Sequence, residues 1–393
     1  MRKYILFLLV GSLSLPAIGQ KNIKEVLVEV ETNNLQLKAN KELFNAQRWD
    51  AKSSNNLSNP SVSYSKVWDS RDSKETDAEL TVSQGFDFPS VYFSRRRANN
   101  YQLKGAEAFF NFQRQEILFQ AQEICLDIIK LNQEREYVEE RMKYAQQLLE
   151  TYNRMLHTGN ATKMDLNKIK LDVLNQKTEY TIIQSELKKK EADLKAINGN
   201  IEIDVNNLTE YTEAITLPDY SLLTSEIVNS SFEIEQTQHE YNSALKQVAV
   251  NKAGWLPGFE VGYKRTAGPN RHSNGFVFGV SIPLFNNRGK VSSSKAVAIS
   301  KLYEQDIVKN KVQSDVYQAY QEAKALIEQI KDYDGLINVD ENLTILKKAL
   351  EGGELSVTEY FVEIGIMYQS AQNYINLNNM CQKQLSRLYK HRL

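Results

Sequence analysis

The chain lays out nearly the same plan twice, about 197 residues apart, and an internal repeat constrains an architecture more than any single motif does. Asn33-Asn34-Leu35-Gln36-Leu37 returns as Ser230-Ser231-Phe232-Glu233-Ile234. Pro60 opens one alternating stretch and Pro257 opens its counterpart. Val82-Ser83 returns as Val280-Ser281, and Gly159 returns as Gly353. Each copy therefore sets a pair of strands among long helices.

The strand stretches have period two. Residues 60–68 put Val62 and Tyr64 on one face and Ser61, Ser63 and Ser65 on the other. Residues 79–88 set Leu80, Val82, Phe86 and Phe88 against Glu79, Thr81, Ser83, Gly85 and Asp87. The polar segment 69–78 between them reads as a hairpin loop. In the second copy, 257–265 sets Phe259, Val261 and Tyr263 against Glu260, Gly262 and Lys264. Residues 275–284 set Phe276, Phe278, Val280, Ile282 and Leu284 against Gly275, Val277, Gly279, Ser281 and Pro283, with 266–274 as the loop. Strands of about 9–11 residues with one apolar face and one small or polar face are the pattern of a membrane β-barrel. The competing reading is the edge of a β-sandwich, a fold that leaves long helices without a place.

The helical stretches carry heptads. Ile117, Ala121, Ile124, Ile128 and Leu131 step by four and three, and the series resumes as Val138, Met142, Ala145, Leu149, Tyr152 and Leu156. Past Gly159 it returns as Leu166, Ile169, Val173, Tyr180, Ile183, Leu187, Leu194 and Ile197. That is an antiparallel coiled-coil hairpin over 90–197 with its tip at 157–164. The second hairpin, 288–390, runs out through Val316, Ala323, Leu326, Ile330, Leu336, Val339 and Leu350. It turns at 351–358 and returns through Tyr360, Ile364, Ala371, Tyr374, Leu385 and Leu388. An outbound helix of about 65 residues is about 100 Å long, several times the thickness of a bilayer core. Such helices must project into water. Residues 22–56 read as one further amphipathic helix, and 200–222 as an irregular connector between repeats 20–199 and 223–393.

Arg2 and Lys3, the apolar run Tyr4 to Leu15, and Ala17-Ile18-Gly19 form the three parts of a secretory signal over 1–19. A membrane anchor is the alternative, for which the run is short. No later apolar run approaches 18 residues, so no helix is expected to cross a membrane. A net charge of −1 gives no basis for nucleic-acid binding. Charged residues make up 25% of the chain and mean hydropathy is −0.48, which favours long exposed helices over one large core. Cys125 and Cys381 lie on or beside apolar heptad positions and read as buried thiols rather than a disulfide. No nucleotide loop, zinc motif or nucleophile elbow is present, so neither an enzyme nor a cofactor is expected.

On these features the chain resembles the TolC family of outer-membrane efflux proteins over essentially its whole mature length. The resemblance rests on the tandem repeat, on Asn59-Pro60-Ser61-Val62 and Leu256-Pro257-Gly258-Phe259 opening each hairpin, on Val280-Ser281-Ile282-Pro283-Leu284-Phe285, and on the Gly159 and Gly353 tips. It implies a mainly α fold with a membrane β-barrel, in which a homotrimer forms a 12-stranded barrel above a periplasmic α-helical tunnel. It also implies residence in the outer membrane of a Gram-negative bacterium. The partners would be a periplasmic adaptor and an inner-membrane pump of RND, ABC or MFS type. Adaptor docking would fall on Leu156, Thr158 and Gly159, and on Leu350, Gly353 and Ser356. An acidic ring at the periplasmic entrance would fall on Glu359, with Glu363 beside the second family position, which Val362 occupies, and with Asp165 as the first-repeat counterpart. The competing reading of these acids is that they stabilise helix starts through the dipole.

From alternation alone, Val82, Phe86, Val261, Phe276, Phe278 and Val280 are expected to face lipid, and Glu79, Asp87, Glu260 and Lys264 the lumen. Trp68, Trp255 and Tyr263 are expected near strand ends, as interfacial girdle or as simple packing. The function expected is a passive exit duct of a tripartite efflux or type I secretion system. The rival is a non-transporting periplasmic coiled-coil adaptor or envelope spacer.

Overall fold

The computed structural model describes residues 22–68, 76–211, 215–268, 271–333 and 339–393. The expected signal segment 1–19, most of the first hairpin loop and Leu336 lie outside the described residues.

Helix α1 (Ile23–Asn33) ends where α2 (Leu35–Ser53) begins, so the single helix expected over 22–56 is two. The cause is Asn34, whose extended backbone (ψ 123°) lets its side chain accept the Leu37 N–H as an N-cap. The second copy breaks the same way. Helix α5 (Tyr220–Ser230) gives way to α6 (Phe232–Ala253) at Ser231, whose hydroxyl accepts the Ile234 N–H. Helix α5 also starts inside the stretch expected to be irregular, with Asp219 capping it through Ser221 and Leu222.

Strands β1 (Ser61–Trp68), β2 (Thr76–Phe86), β3 (Gly258–Gly268) and β4 (Arg271–Ser281) form one antiparallel sheet in the order β1-β2-β3-β4. The two hairpins of the repeat are thus joined edge to edge through β2 and β3. The second hairpin is longer than expected. Strands β3 and β4 pair as far as Gly268 and Arg271, so most of 266–274 is strand rather than loop. Polar side chains at a hairpin tip resemble a loop by composition, but the cross-strand ladder decides. Ile282, Pro283 and Leu284 fall beyond β4, and Asp87 and Phe88 beyond β2.

Helix α3 (Pro89–His157) spans 69 residues and begins on a proline, which suits the first helical turn because its missing N–H has no intrahelical partner there. Helix α4 (Lys163–Ile197) follows. The outbound helix of the second repeat is described as α7 (Lys290–Tyr333) and α8 (Val339–Glu351), and the return helix is α9 (Val357–Tyr389), closed by a 3-10 turn at Lys390–Arg392.

Backbone packing divides the chain into two compact units that do not follow the repeat boundary. Of the described residues, one holds 22–30 and 124–211. In it the pairs Asp127–Lys190 (2.8 Å) and Arg141–Asp172 (3.0 Å) set rising numbers on α3 against falling numbers on α4. The two helices are therefore antiparallel. Ile128, Ile129, Ile169, Leu187 and Leu194 are buried along them, as the heptads require. Asn132 donates to the Leu208 carbonyl (2.9 Å) and Gln133 to that of Thr209 (2.8 Å), which anchors the connector to α3.

The other holds the described residues of 31–123 and 215–393, with all four strands. Leu326, Ile330, Cys381 and Leu385 form one apolar cluster between α7 and α9, and Leu223, Ile227, Val316, Ala319, Ala323 and Leu388 form another. Both cysteines are free. Burial pushes the Cys125 thiol up to about 12 and the Cys381 thiol up to about 11, so both stay protonated and inert. Because Leu385 is fully enclosed, Leu385→Ala is expected to lower stability by about 2–5 kcal/mol. Chemical denaturation in detergent checks this, and an unchanged midpoint would contradict the packing.

Candidate functional site

Directly opposed residues in an antiparallel ladder share a face, so the pairing register sorts the sheet into two surfaces. One carries the rows Val62/Val82/Tyr263/Phe276, Gln84/Val261/Phe278 and Phe86/Phe259/Val280. Phe276 and Phe278 are each 78% exposed, Val280 63%. A soluble chain seldom leaves a contiguous apolar face of this kind in water. The expected outward residues Val82, Phe86, Val261, Phe276, Phe278 and Val280 fall together on this face. Tyr263 lies in the middle of β3 rather than at a strand end.

The opposite surface carries Ser61/Ser83/Gly262/Val277, Ser63/Thr81/Lys264/Gly275 and Gly85/Glu260/Gly279. It is crowded near its centre. The Ser61 and Ser83 hydroxyls hydrogen-bond at 2.7 Å, and a Cβ on Gly262 would stand 2.8 Å from both the Ser83 Cβ and the Val82 carbonyl. Only glycine fits there. Glu79 and Lys264 pair at 2.6 Å, which removes two charges that alternation alone presents as free. Asp87 sits past the end of β2, where Arg95 holds it at 3.1 Å.

At the sheet–helix junction the apolar face continues as a cleft of about 430 Å³ lined by Phe86, Asp87, Pro89, Tyr92, Phe93 and Phe259. Of its lining, Phe86 is expected to face lipid and Asp87 the lumen, while Pro89, Tyr92 and Phe93 are not among the expected site residues. The available signal is Phe93 placed three and four residues before Arg96 and Arg97, directly after a strand.

Both hairpin tips end their outbound helix in the same way. Gly159 takes φ +78° and Gly353 φ +73°. The Asn160 N–H reaches back to the Met155 carbonyl (2.8 Å), and the Glu354 N–H to that of Ala349 (2.9 Å). These are six-to-one Schellman closures, which need a left-handed residue. Thr158, Gly159, Gly353 and Ser356 are exposed, Leu156 is half-buried and Leu350 is buried.

The return helices both begin with a capping box. The Asp165 N–H donates to the Thr162 hydroxyl at 3.1 Å, and the Asp165 carboxylate accepts the Thr162 N–H at 3.3 Å. The Glu359 N–H donates to Ser356 Oγ at 3.2 Å, and Glu359 Oε2 accepts the Ser356 N–H at 2.8 Å. Those Ser356 contacts, the backbone one first, hold the Glu359 carboxyl below its ordinary value. Glu363 is exposed one turn further along α9, so it shares a face with Glu359. Asp165 belongs to the other compact unit.

Among the described residues no group of three or more His, Cys, Asp or Glu could hold a metal ion, and no helix is long and apolar enough to cross a membrane.

Two outcomes follow for the tips. Gly159→Ala or Gly353→Ala forces a Cβ into the left-handed region and is expected to cost about 1–2 kcal/mol, read as a lower thermal midpoint, with Asn tolerated better. A carboxyl depressed on folding supports the fold above its unfolded pKa and loses that support as pH falls through the folded value. Acidification below about pH 4 is therefore expected to speed hydrogen exchange at the Ser356 amide, corrected for intrinsic rate, and Glu359→Gln is expected to remove that pH dependence.

No protein-family profile matches the chain, and no curated protein sequence does. Solved structures do match. CusC, whose structure concerns folding and transmembrane channel formation, aligns with a TM-score of 0.76 at 15% identity, covering 94% of this chain and 91% of its own. The outer-membrane protein VceC of Vibrio cholerae aligns at 0.75 and 14%, covering 94% and 95%. The CmeC outer-membrane channel of Campylobacter jejuni aligns at 0.71 and 15%, covering 94% and 85%. Identities this low speak to architecture alone, and on architecture they agree: the tandem strand hairpins and long helices of this chain adopt the fold of these outer-membrane channel proteins.

Proposed function

We propose that the protein is a passive, trimeric exit duct of the Gram-negative outer membrane, serving a tripartite efflux or type I secretion system. The observation that carries this reading is the sheet. Among the described residues the outer edges of β1 and β4 have no partner strand, and one face exposes a band of Val, Phe and Tyr. Within hydrocarbon every backbone N–H and C=O must be paired, so a sheet survives there only as a closed barrel. Four strands are too few to close, whereas three copies supply twelve. The apolar face then meets lipid, and the serine, glycine and ion-paired face lines water.

The long helices extend this channel into the periplasm, where the Leu156-Thr158-Gly159 and Leu350-Gly353-Ser356 turns receive the adaptor. Glu359 and Glu363, three copies of each, ring the entrance, where their concentrated negative charge attracts cations, and Asp165 takes the equivalent place at the start of the first return helix. One oxygen of Glu359 is already engaged in its cap, so Glu363 contributes the freer carboxylate. The chain supplies no fuel and binds no cofactor or nucleic acid. Energy and substrate choice lie with the inner-membrane pump, and the chemistry in this chain is positioning rather than catalysis.

Single-channel current across a planar bilayer, with detergent-extracted protein, tests the duct. Discrete uniform steps are expected, and their cation preference is expected to fall in Glu363→Gln and further in Glu359→Gln/Glu363→Gln. Protein that stays soluble without detergent and carries no current would point instead to a periplasmic coiled-coil spacer. Val82→Arg or Phe278→Arg places a charge in the lipid-facing band and is expected to cost about 2–4 kcal/mol of insertion, seen as depletion from the membrane fraction. Equal recovery of variant and wild type would contradict the assignment of that face.

A further inference from the structure

We infer that the cleft at the β2–α3 junction is a binding site for one anionic glycerophospholipid of the periplasm-facing leaflet. The inference rests on the membrane-barrel reading and adds a specific ligand to it. The cleft lies on the apolar surface, because Phe86 and Phe259 oppose each other in the ladder and continue the row that ends in Val280. Phe88 packs on Phe259 with ring centroids 6.1 Å apart. Pro89, Tyr92 and Phe93 supply the helix side of the walls, and Phe93 is 66% exposed. The volume of about 430 Å³ lies in the range of small-ligand sites. Its exposed walls are almost wholly apolar, which suits an acyl chain and offers a polar solute little.

The charge that selects the headgroup sits one turn along. Residues three and four apart on a helix share a face, so Arg96 and Arg97 stand beside Phe93, displaced by about 5–6 Å along the axis. The polar headgroup layer on each side of a bilayer is about 5–8 Å deep, so an acyl chain at Phe93 puts its phosphate at the arginines. The other charges at the site are already matched. Asp87, the acid in the cleft, pairs with Arg95 at 3.1 Å, and the Arg95 guanidinium lies 5.7 Å from the Tyr92 ring centroid. Arg96 and Arg97 are exposed, and arginine's planar fork suits a phosphate oxygen pair. The second repeat keeps the order of apolar then basic. Ile282, Leu284 and Phe285 are 67%, 65% and 84% exposed, and exposed Arg288 and Lys290 follow.

The test uses the full chain, extracted in detergent and reconstituted with phosphatidylethanolamine and phosphatidylglycerol in equal amounts. Flotation with vesicles comes first, and failure to float would overturn the membrane reading itself. For protein that floats, native mass spectrometry counts the retained lipids. Each arginine near a phosphate is worth about five-fold in affinity, so wild type is expected to retain phosphatidylglycerol preferentially. Arg96→Gln/Arg97→Gln is expected to lose the preference, Arg96→Lys/Arg97→Lys to keep most of it, and Phe93→Ala to lose bound lipid of both kinds. Floating wild type that retains both lipids equally, or a glutamine variant that matches wild type, would overturn the site. So would displacement of the lipid by inorganic phosphate alone, which would assign the arginines to a soluble anion.

Discussion

The open outer edges of β1 and β4 govern the rest of the molecule. A sheet edge in water can be hydrated, but an edge in hydrocarbon leaves each N–H and C=O unsatisfied at several kcal/mol. The proposed barrel meets this constraint by setting both edges against identical copies and the apolar face against lipid. The crowding on the other face fits the same logic. Gly262 lets β2 and β3 approach without a side chain between them, and the Glu79–Lys264 pair leaves neither charge on that face unmatched.

In the proposed duct the helical part answers a different requirement, which is to carry the opening through water. Heptad burial holds α3 against α4, while Asp127–Lys190 and Arg141–Asp172 fix the register between them. Each hairpin reverses through a Schellman glycine and restarts through a capping box, so the turn geometry is determined from both sides. The C-terminus is tied down in its own unit. Arg114 donates to Glu31 and to the Leu393 carbonyl, and Arg392 and His391 hold Glu226. The His391 and Arg392 contacts lower the Glu226 carboxyl, His391 first.

Much of this was legible in the residues. Strict alternation told the two sheet faces apart, because a period of two admits no other assignment, and glycine at each heptad break marked the tips. What escaped has identifiable causes. Asn34 and Ser231 sit within continuous apolar periodicity, and one capping side chain splits a helix without disturbing that pattern. Arg271, His272, Ser273 and Asn274 read as loop by composition, yet they extend β4, since the backbone ladder to Arg265 through Gly268 pairs polar residues as readily as apolar ones. The Glu359 and Asp165 carboxylates were legible as helix-start acids and as entrance acids alike, and their capping geometry is compatible with both. The Phe93 cleft depends on a strand end and a helix start meeting in space, which no local pattern encodes.

In the proposed trimer, β1 of one copy pairs with β4 of the next. Cysteines placed pairwise along Ser61–Trp68 and Arg271–Ser281, followed by oxidation in membranes and separation under denaturing conditions, test it directly. The native Cys125 and Cys381 are buried with raised pKa values, so they stay out of the reaction. The account predicts a cross-linked ladder that stops at three chains for pairs in register. Monomers alone, a ladder that stops at two, or one that continues past three would contradict it.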